Sequence, residues 1–185
     1  MSNNGGDAGK YGPKSAGADL ERELATAAKL TRDPRVVAAV ATLNLRIDAD
    51  GWGVGYVEFQ GPSYYPCDWG EPALIFAAEH CGDLIDLVAC RLRDRAVAAR
   101  IGITPALGLD WIDIAAARAR RLLLYADPLG WAHNGFCGAV LIDWQRARSL
   151  LADVPDIACA SQALAGRVHQ ALTVPVPRLS YARAA

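Results

Sequence analysis

The chain has 185 residues, of which 52% are hydrophobic, and a formal net charge of −1. A chain of this length folds as one domain that buries about 70% of its unfolded surface, so stability needs neither a disulfide nor a metal. The apolar content excludes a wholly disordered chain, and the near-neutral charge argues against a strong nucleic-acid binder that works through the phosphate field.

No apolar run reaches the roughly 18 residues of a membrane span. The opening MSNNGGDAGKYGPKSAGAD lacks the apolar core of a signal peptide. The expected location is therefore the cytoplasm, with the five cysteines as reduced thiols. Lys10, Lys14 and Lys29 are the only lysines, and the remainder of the chain uses arginine. A P-loop lysine, a core Schiff-base lysine and a nuclease-type lysine are thereby set aside.

Residues 1–17 are rich in Gly, Ser and Asn without periodicity and read as a disordered tail. Asp19–Thr31 has helical spacing, with Leu20, Leu24, Ala27 and Ala28 on one face and Asp19 as the expected N-cap. From Thr42 to Asp48 apolar and polar residues alternate, which predicts a strand. Gly51 closes a turn, and Trp52–Gln60 is the return strand. Gly53 and Gly55 share a face of it, where a neighbouring aromatic is expected to pack close to the backbone.

Gly61–Pro72 (GPSYYPCDWGEP) reads as a long irregular loop, since three prolines and two glycines oppose regular structure. Tyr64, Tyr65 and Trp69 within it are candidates for an interaction surface; the plainer alternative is a lid folded back on the core. Ala73–Ala78, Leu84–Leu92 and Ala96–Ile103 read as further strands. Helical spacing of Leu84, Leu87, Val88 and Arg91 leaves a helix open over residues 84–103. Thr104–Gly108 is a connector, and Ile112–Arg120 is an Ala-rich helix expected to be capped at Asp110.

The stretch Arg121–Trp144 reads strand, short helix, strand: Leu122–Ala126, a helix opened by Asp127-Pro128 and stopped by Asn134-Gly135, then Ala139–Ile142. Helix Gln145–Ala152, strand Ile157–Ala160 and helix Ser161–Leu172 continue the alternation. Successive strand–helix units imply parallel pairing with right-handed crossovers. The expected class is α/β or α+β with mixed sheet, an antiparallel meander in the first half and strand–helix alternation in the second. One globular domain over residues 18–173 is followed by an extended tail over 174–185.

Parallel strands ending at Ala126, Ile142 and Ala160 would bring Asp127, Asp143, Trp144 and Ser161 to one carboxyl edge, the usual ligand edge of an open α/β sheet. The same residue types are what helix N-caps require, and capping is the simpler reading. Arg93, Arg95 and Arg120 belong to arginine clusters suited to a nucleic-acid strand, with a solvated charged face as the alternative. His80-Cys81 are adjacent and His133-x3-Cys137 has one suitable ligand spacing, but no CxxC pair accompanies them, so no metal is expected. GxSxG and a GxGxxG followed by a helix are both missing, and no cofactor is expected.

The segments GDLIDLVACRLRD, ARIGITPALGLDWI and DPLGWAHNGFCGAVLIDWQRARSLLADVP resemble uncharacterised proteins of phages and prophages from GC-rich bacteria, over roughly residues 40–175. The resemblance carries no activity or catalytic residue; it implies an accessory protein that binds a host or phage macromolecule. The leading expectation is a non-catalytic binding module with a protein partner. Its rivals are a small enzyme or nucleotide-binding domain using the strand-end edge and a nucleic-acid accessory protein using the arginines.

Overall fold

The computed structural model describes residues 13–32, 40–43, 45 and 51–173. It begins with helix α1 (Pro13–Leu30). A five-stranded closed barrel follows: β1 (Trp52–Gln60), β2 (Ser63–Pro66), β3 (Glu71–His80), β4 (Asp83–Arg91) and β5 (Val97–Ala99), in the order β1-β2-β5-β4-β3. All its pairings are antiparallel except β2 with β5, which meet in parallel at Ser63 and Ala99.

The second half contains β6 (Ala106–Leu107), α2 (Leu109–Ala117), β7 (Arg121–Tyr125), α3 (Pro128–His133), β8 (Ala139–Leu141), α4 (Ala147–Leu151), β9 (Asp156–Cys159) and α5 (Gln162–Leu172). Its sheet has the order β6-β8-β7-β9. β7 pairs in parallel with both β8 and β9, and β6 is antiparallel to β8. The fold is thus α+β with mixed sheets, divided between a barrel and an open sheet.

Strand alternation sorts the apolar residues into layers. Val57, Tyr64, Ile75, Leu87, Ala89 and Ala98 of the barrel join Leu20 and Ala27 of α1 in one cluster. The opposite face, with Trp52, Val54, Leu74, Phe76, Val88 and Cys90, packs against Leu107, Tyr125 and Val140 of the open sheet and Leu129 and Trp131 of α3. The far side of that sheet, with Leu122, Leu124, Ala139 and Leu141, is covered by α2, α4 and α5. β3, β4 and β8 are therefore buried on both faces over most of their length, which explains their near-continuous apolar runs.

Two tethers fix the layers. Glu23 of α1 accepts hydrogen bonds from Tyr64 Oη at 2.8 Å and from Arg100 Nε at 2.9 Å, which ties α1 to β2 and to the end of β5. Asp86 of β4 is fully buried. Its Oδ1 accepts the N–H groups of Leu87 and Ile101, and its Oδ2 those of Gly102, Ile103 and Thr104. A buried charge is tolerable when hydrogen bonds replace its lost hydration. Here those donors are the crossover from the barrel to the open sheet.

Several expectations hold. β1 has its expected bounds, with Gly51 before it at φ 87°. Residues 84–103 hold strand β4 to Arg91 and strand β5 rather than a helix, although β5 ends at Ala99, short of the expected Ile103, and Asp127-Pro128 opens a helix.

Others are corrected. The stretch Gly61–Pro72 is not irregular throughout: β2 lies inside it and β3 starts at Glu71. Pro66 ends its strand and Pro72 is the second residue of β3, positions where proline removes little from a ladder, while burial of the Tyr64 ring holds β2 in the barrel. Helix α1 starts at Pro13 instead of Asp19, and Asp19 pairs with Arg22 on its surface rather than capping it. The neighbour at Gly53 is not an aromatic but the α1 backbone: a Cβ there would lie 2.4 Å from the Ala27 carbonyl carbon. Gly108, not Asp110, is the N-cap of α2, and the connector before it contains β6. The expected strand Thr42–Asp48 falls largely outside the described residues, and residues 40–42 are helical. The expected C-terminal tail over 174–185 lies outside them as well.

Burial, with the Asp127 carboxylate nearby, pushes the Cys90 thiol up from 9.0 to about 12. Burial, reinforced by Glu23, likewise raises the Tyr64 phenol above its ordinary value of 10.0. An unfolded thiol loses its proton above pH 9 while the folded one keeps it. This contribution to stability is complete below pH 9 and is lost as pH rises toward 12, at up to about 1.4 kcal/mol per pH unit. Urea denaturation as a function of pH should show stability falling above pH 9, with a flatter fall between pH 9 and 10 in Cys90→Ala.

Candidate functional site

The barrel presents its aromatics unequally. Tyr64 is buried, with its hydroxyl spent on Glu23. Tyr65 is 46% exposed and lies opposite Glu58 of β1, with the Arg100 guanidinium 5.6 Å from its ring centroid. Trp69 is 95% exposed. Tyr56, two residues before Glu58 and so on the same face of β1, is 46% exposed. Of the three aromatics expected in the loop, two reach the surface, and Tyr56 joins them from a strand where alternation alone does not single it out.

The turn bearing Trp69 is held by backbone contacts. Cys67 N–H donates to the Tyr56 carbonyl at 2.9 Å, and Gly70 N–H donates to the Cys67 carbonyl at 2.8 Å. A Cβ on Gly70 would lie 2.5 Å from the Val57 backbone, so only glycine lets the turn close onto β1. A cleft of about 430 Å³ lies on one side, between α1 and β1, and includes Tyr56, Cys67 and Asp68 with Asp19, Arg22 and Glu23. A cleft of about 380 Å³ on the other includes Phe59, Trp69, Glu58, Glu71 and Arg91. Carboxylates outnumber guanidinium groups in both.

At the opposite end of β3, Cys81 and Gly82 form the two-residue turn into β4, with φ of 54° and 84°. Two positive φ values define the tight hairpin turn that matches strand twist. This turn abuts the first turns of α2. Donor atoms of His80, Cys81 and Asp110 lie within 4.8 Å of one another. Asp113 Oδ2 is 2.8 Å from His80 Nε2, and Asp110 Oδ1 accepts the Cys81 N–H at 2.9 Å. Asp110 also borders a cavity of about 290 Å³ that includes Glu79, Trp111, Trp131 and Phe136. Sequence reading singled out His80 and Cys81 but not their partners. The signal available was the pair Asp110 and Asp113, three apart and hence on one helix face.

The strand-end edge exists in the expected order, with Asp127, Asp143 and Ser161 following β7, β8 and β9. Each polar group is engaged locally. Asp127 Oδ1 accepts Gly130 N–H at 2.9 Å, and Ser161 Oγ accepts Leu164 N–H at 3.2 Å. Asp143 accepts Gln145 N–H and pairs with Arg146. The Arg167 guanidinium lies 3.7 Å from the Trp144 ring centroid. Among the described residues, no hydrogen bond or ion pair joins these four to one another.

Arg93 and Arg95 share the connection between β4 and β5, whereas Arg120 lies elsewhere. Arg93 pairs with Glu71 and Asp94. Arg95 sits at φ 63° with Nη1 buried and without a hydrogen-bond partner. Arg120 lies beyond α2 and lines a separate cleft with Trp111 and Cys137. His133 bonds the Leu43 carbonyl, and the Cys137 thiol faces the Gly135 carbonyl.

Comparison with protein-family models, with curated proteins and with solved structures found no match to this chain.

Asp127→Ala should cost about 1 kcal/mol in urea denaturation, and Asp127→Asn close to nothing, because Asn replaces Asp as a cap acceptor. Equal losses in the two variants would mean that the carboxylate charge at this edge matters beyond capping.

Proposed function

We propose that this chain is a cytoplasmic, non-catalytic binding module that takes a basic segment of a protein partner on the aromatic face formed by Tyr56, Tyr65 and Trp69. The observation that carries this reading is the 95% exposure of Trp69 on a turn fixed by Gly70 and two backbone hydrogen bonds. A tryptophan presented on a turn whose backbone is already fixed brings large contact area with little backbone left to order, which is the character of an interface anchor. Because the barrel is closed, its strands offer no free edge there, so recognition falls to side chains.

The partner's chemistry follows from charge. Glu58 and Asp68 border the aromatic face, whereas Glu71 is already paired with Arg91 and Arg93. Carboxylates beside exposed indole and phenol rings favour arginine or lysine, through ion pairing and cation–π contact together. The same carboxylates repel a phosphate backbone, which weighs against the nucleic-acid reading. No helix among the described residues is long and apolar enough to cross a membrane. The resemblance to phage and prophage proteins is the reason for seeking the partner among host or phage macromolecules.

Selection of a displayed random-peptide library on the full chain tests this directly. Enriched peptides should carry arginine or lysine, bind more weakly as salt rises, and lose about 30-fold in affinity with Trp69→Ala, the loss typical of an interface hot spot. Enriched peptides without basic residues, or binding indifferent to Trp69→Ala, would contradict the proposal.

A further inference from the structure

We propose that the β3–β4 hairpin turn and α2 together form a binding site for a zinc-class divalent metal ion, with Cys81 Sγ, His80 Nδ1 and the Asp110 carboxylate as ligands. These three residues contribute thiolate, imidazole and carboxylate, the donor set of zinc sites. One ring nitrogen of His80, the Cys81 Sγ and one carboxylate oxygen of Asp110 already lie within 4.8 Å of one another. Around a tetrahedral zinc the separations would be about 3.3–3.6 Å, set by metal–ligand bonds of about 2.0–2.3 Å. Closure therefore asks for side-chain movement of about an ångström at partly exposed positions.

Two hydrogen bonds orient the ligands in advance. The Asp113 carboxylate can only accept, so the 2.8 Å contact places the proton of neutral His80 on Nε2 and leaves the Nδ1 lone pair for the metal. A carboxylate behind a ligating imidazole is the usual outer-shell partner of a metal-bound histidine. The Cys81 N–H holds Asp110 by Oδ1, which leaves Oδ2 available. The left-handed backbone at Cys81, φ 54°, costs energy in a non-glycine residue and brings its side chain into the cluster. Three protein ligands leave a fourth position for water or a partner's donor, beside the cavity of about 290 Å³ that Asp110 also lines. Binding releases the thiol proton to solvent and forms a metal–thiolate bond without redox change.

Cobalt(II) added to the full, reduced chain reads this site, because a thiolate–cobalt bond gives a near-ultraviolet charge-transfer band and a tetrahedral site gives intense visible bands. The expected result is saturation at one cobalt per chain, with zinc displacing it. Cys81→Ser should abolish the charge-transfer band, and His80→Gln should weaken binding by about 100-fold or more. Asp113→Asn should weaken it about 10–100-fold, the usual effect of losing an outer-shell partner. Cys67→Ser and Cys137→Ser should leave the titration unchanged. Circular dichroism of each variant separates lost ligation from lost fold. Failure to bind cobalt stoichiometrically at micromolar protein, or a charge-transfer band that survives Cys81→Ser in folded protein, would overturn the proposal.

Discussion

The carboxylate of Asp86 is fully buried, and the backbone N–H groups of Ile101, Gly102, Ile103 and Thr104 converge on it from a segment that is exposed over its first three residues. An uncompensated charge at that depth would cost several kcal/mol, so the crossover must wrap the carboxylate whenever β4 occupies the barrel. The wrapped segment then feeds directly into the open sheet. Thr104 Oγ1 donates to the Ala106 carbonyl at 2.7 Å, and the Pro105 carbonyl accepts the N–H groups of Ile142 and Asp143. One side chain thus fixes where the barrel ends, where β6 begins and where β8 stops. It also sets the path to α2, and with it the position of Asp110 and Asp113 opposite His80 and Cys81.

Around this frame the molecule leaves two kinds of group at its surface that a purely structural optimum would not. Trp69 is held out by a turn that a glycine clamps to β1, although a tryptophan gains most by burial. Cys81 occupies a left-handed position where glycine or asparagine would be less strained, with His80 beside it and carboxylates facing both. The first feature suits recognition of another chain, the second coordination of an ion. The groups at the carboxyl edge of β7, β8 and β9 differ in kind, since their polar atoms are used within their own turns.

What was legible in the sequence follows the range of the physics involved. Local signals are legible: the Gly51 turn before the return strand Trp52–Gln60, apolar runs at strand length in β3, β4, β7 and β8, and the Asp127-Pro128 helix start. Parallel pairing of β7, β8 and β9 followed from their intervening helices. The misreadings arose where a distant contact overrides a local preference. Proline and glycine around Tyr64 argue for a loop, but burial of that ring and its bond to Glu23, 41 residues away in sequence, make a strand. Asp86 looks in sequence like one more surface acid of the LIDLV stretch, and its role depends on amides 15 to 18 residues later. The meeting of His80 with Asp113, 33 residues apart, is equally a product of the crossover.

Amide hydrogen exchange at the crossover tests the place of Asp86 most directly. Ile101 and Ile103 are 44% and 51% exposed, so a simple surface loop would exchange its amide protons quickly. If the carboxylate anchors the two halves, the amides of Ile101, Gly102 and Ile103 should be protected about as strongly as those in the centre of β4, and Asp86→Asn should remove that protection together with about 2–4 kcal/mol of stability. Fast exchange at these amides in the unaltered protein, or an Asp86→Asn variant as stable as the parent, would contradict the account.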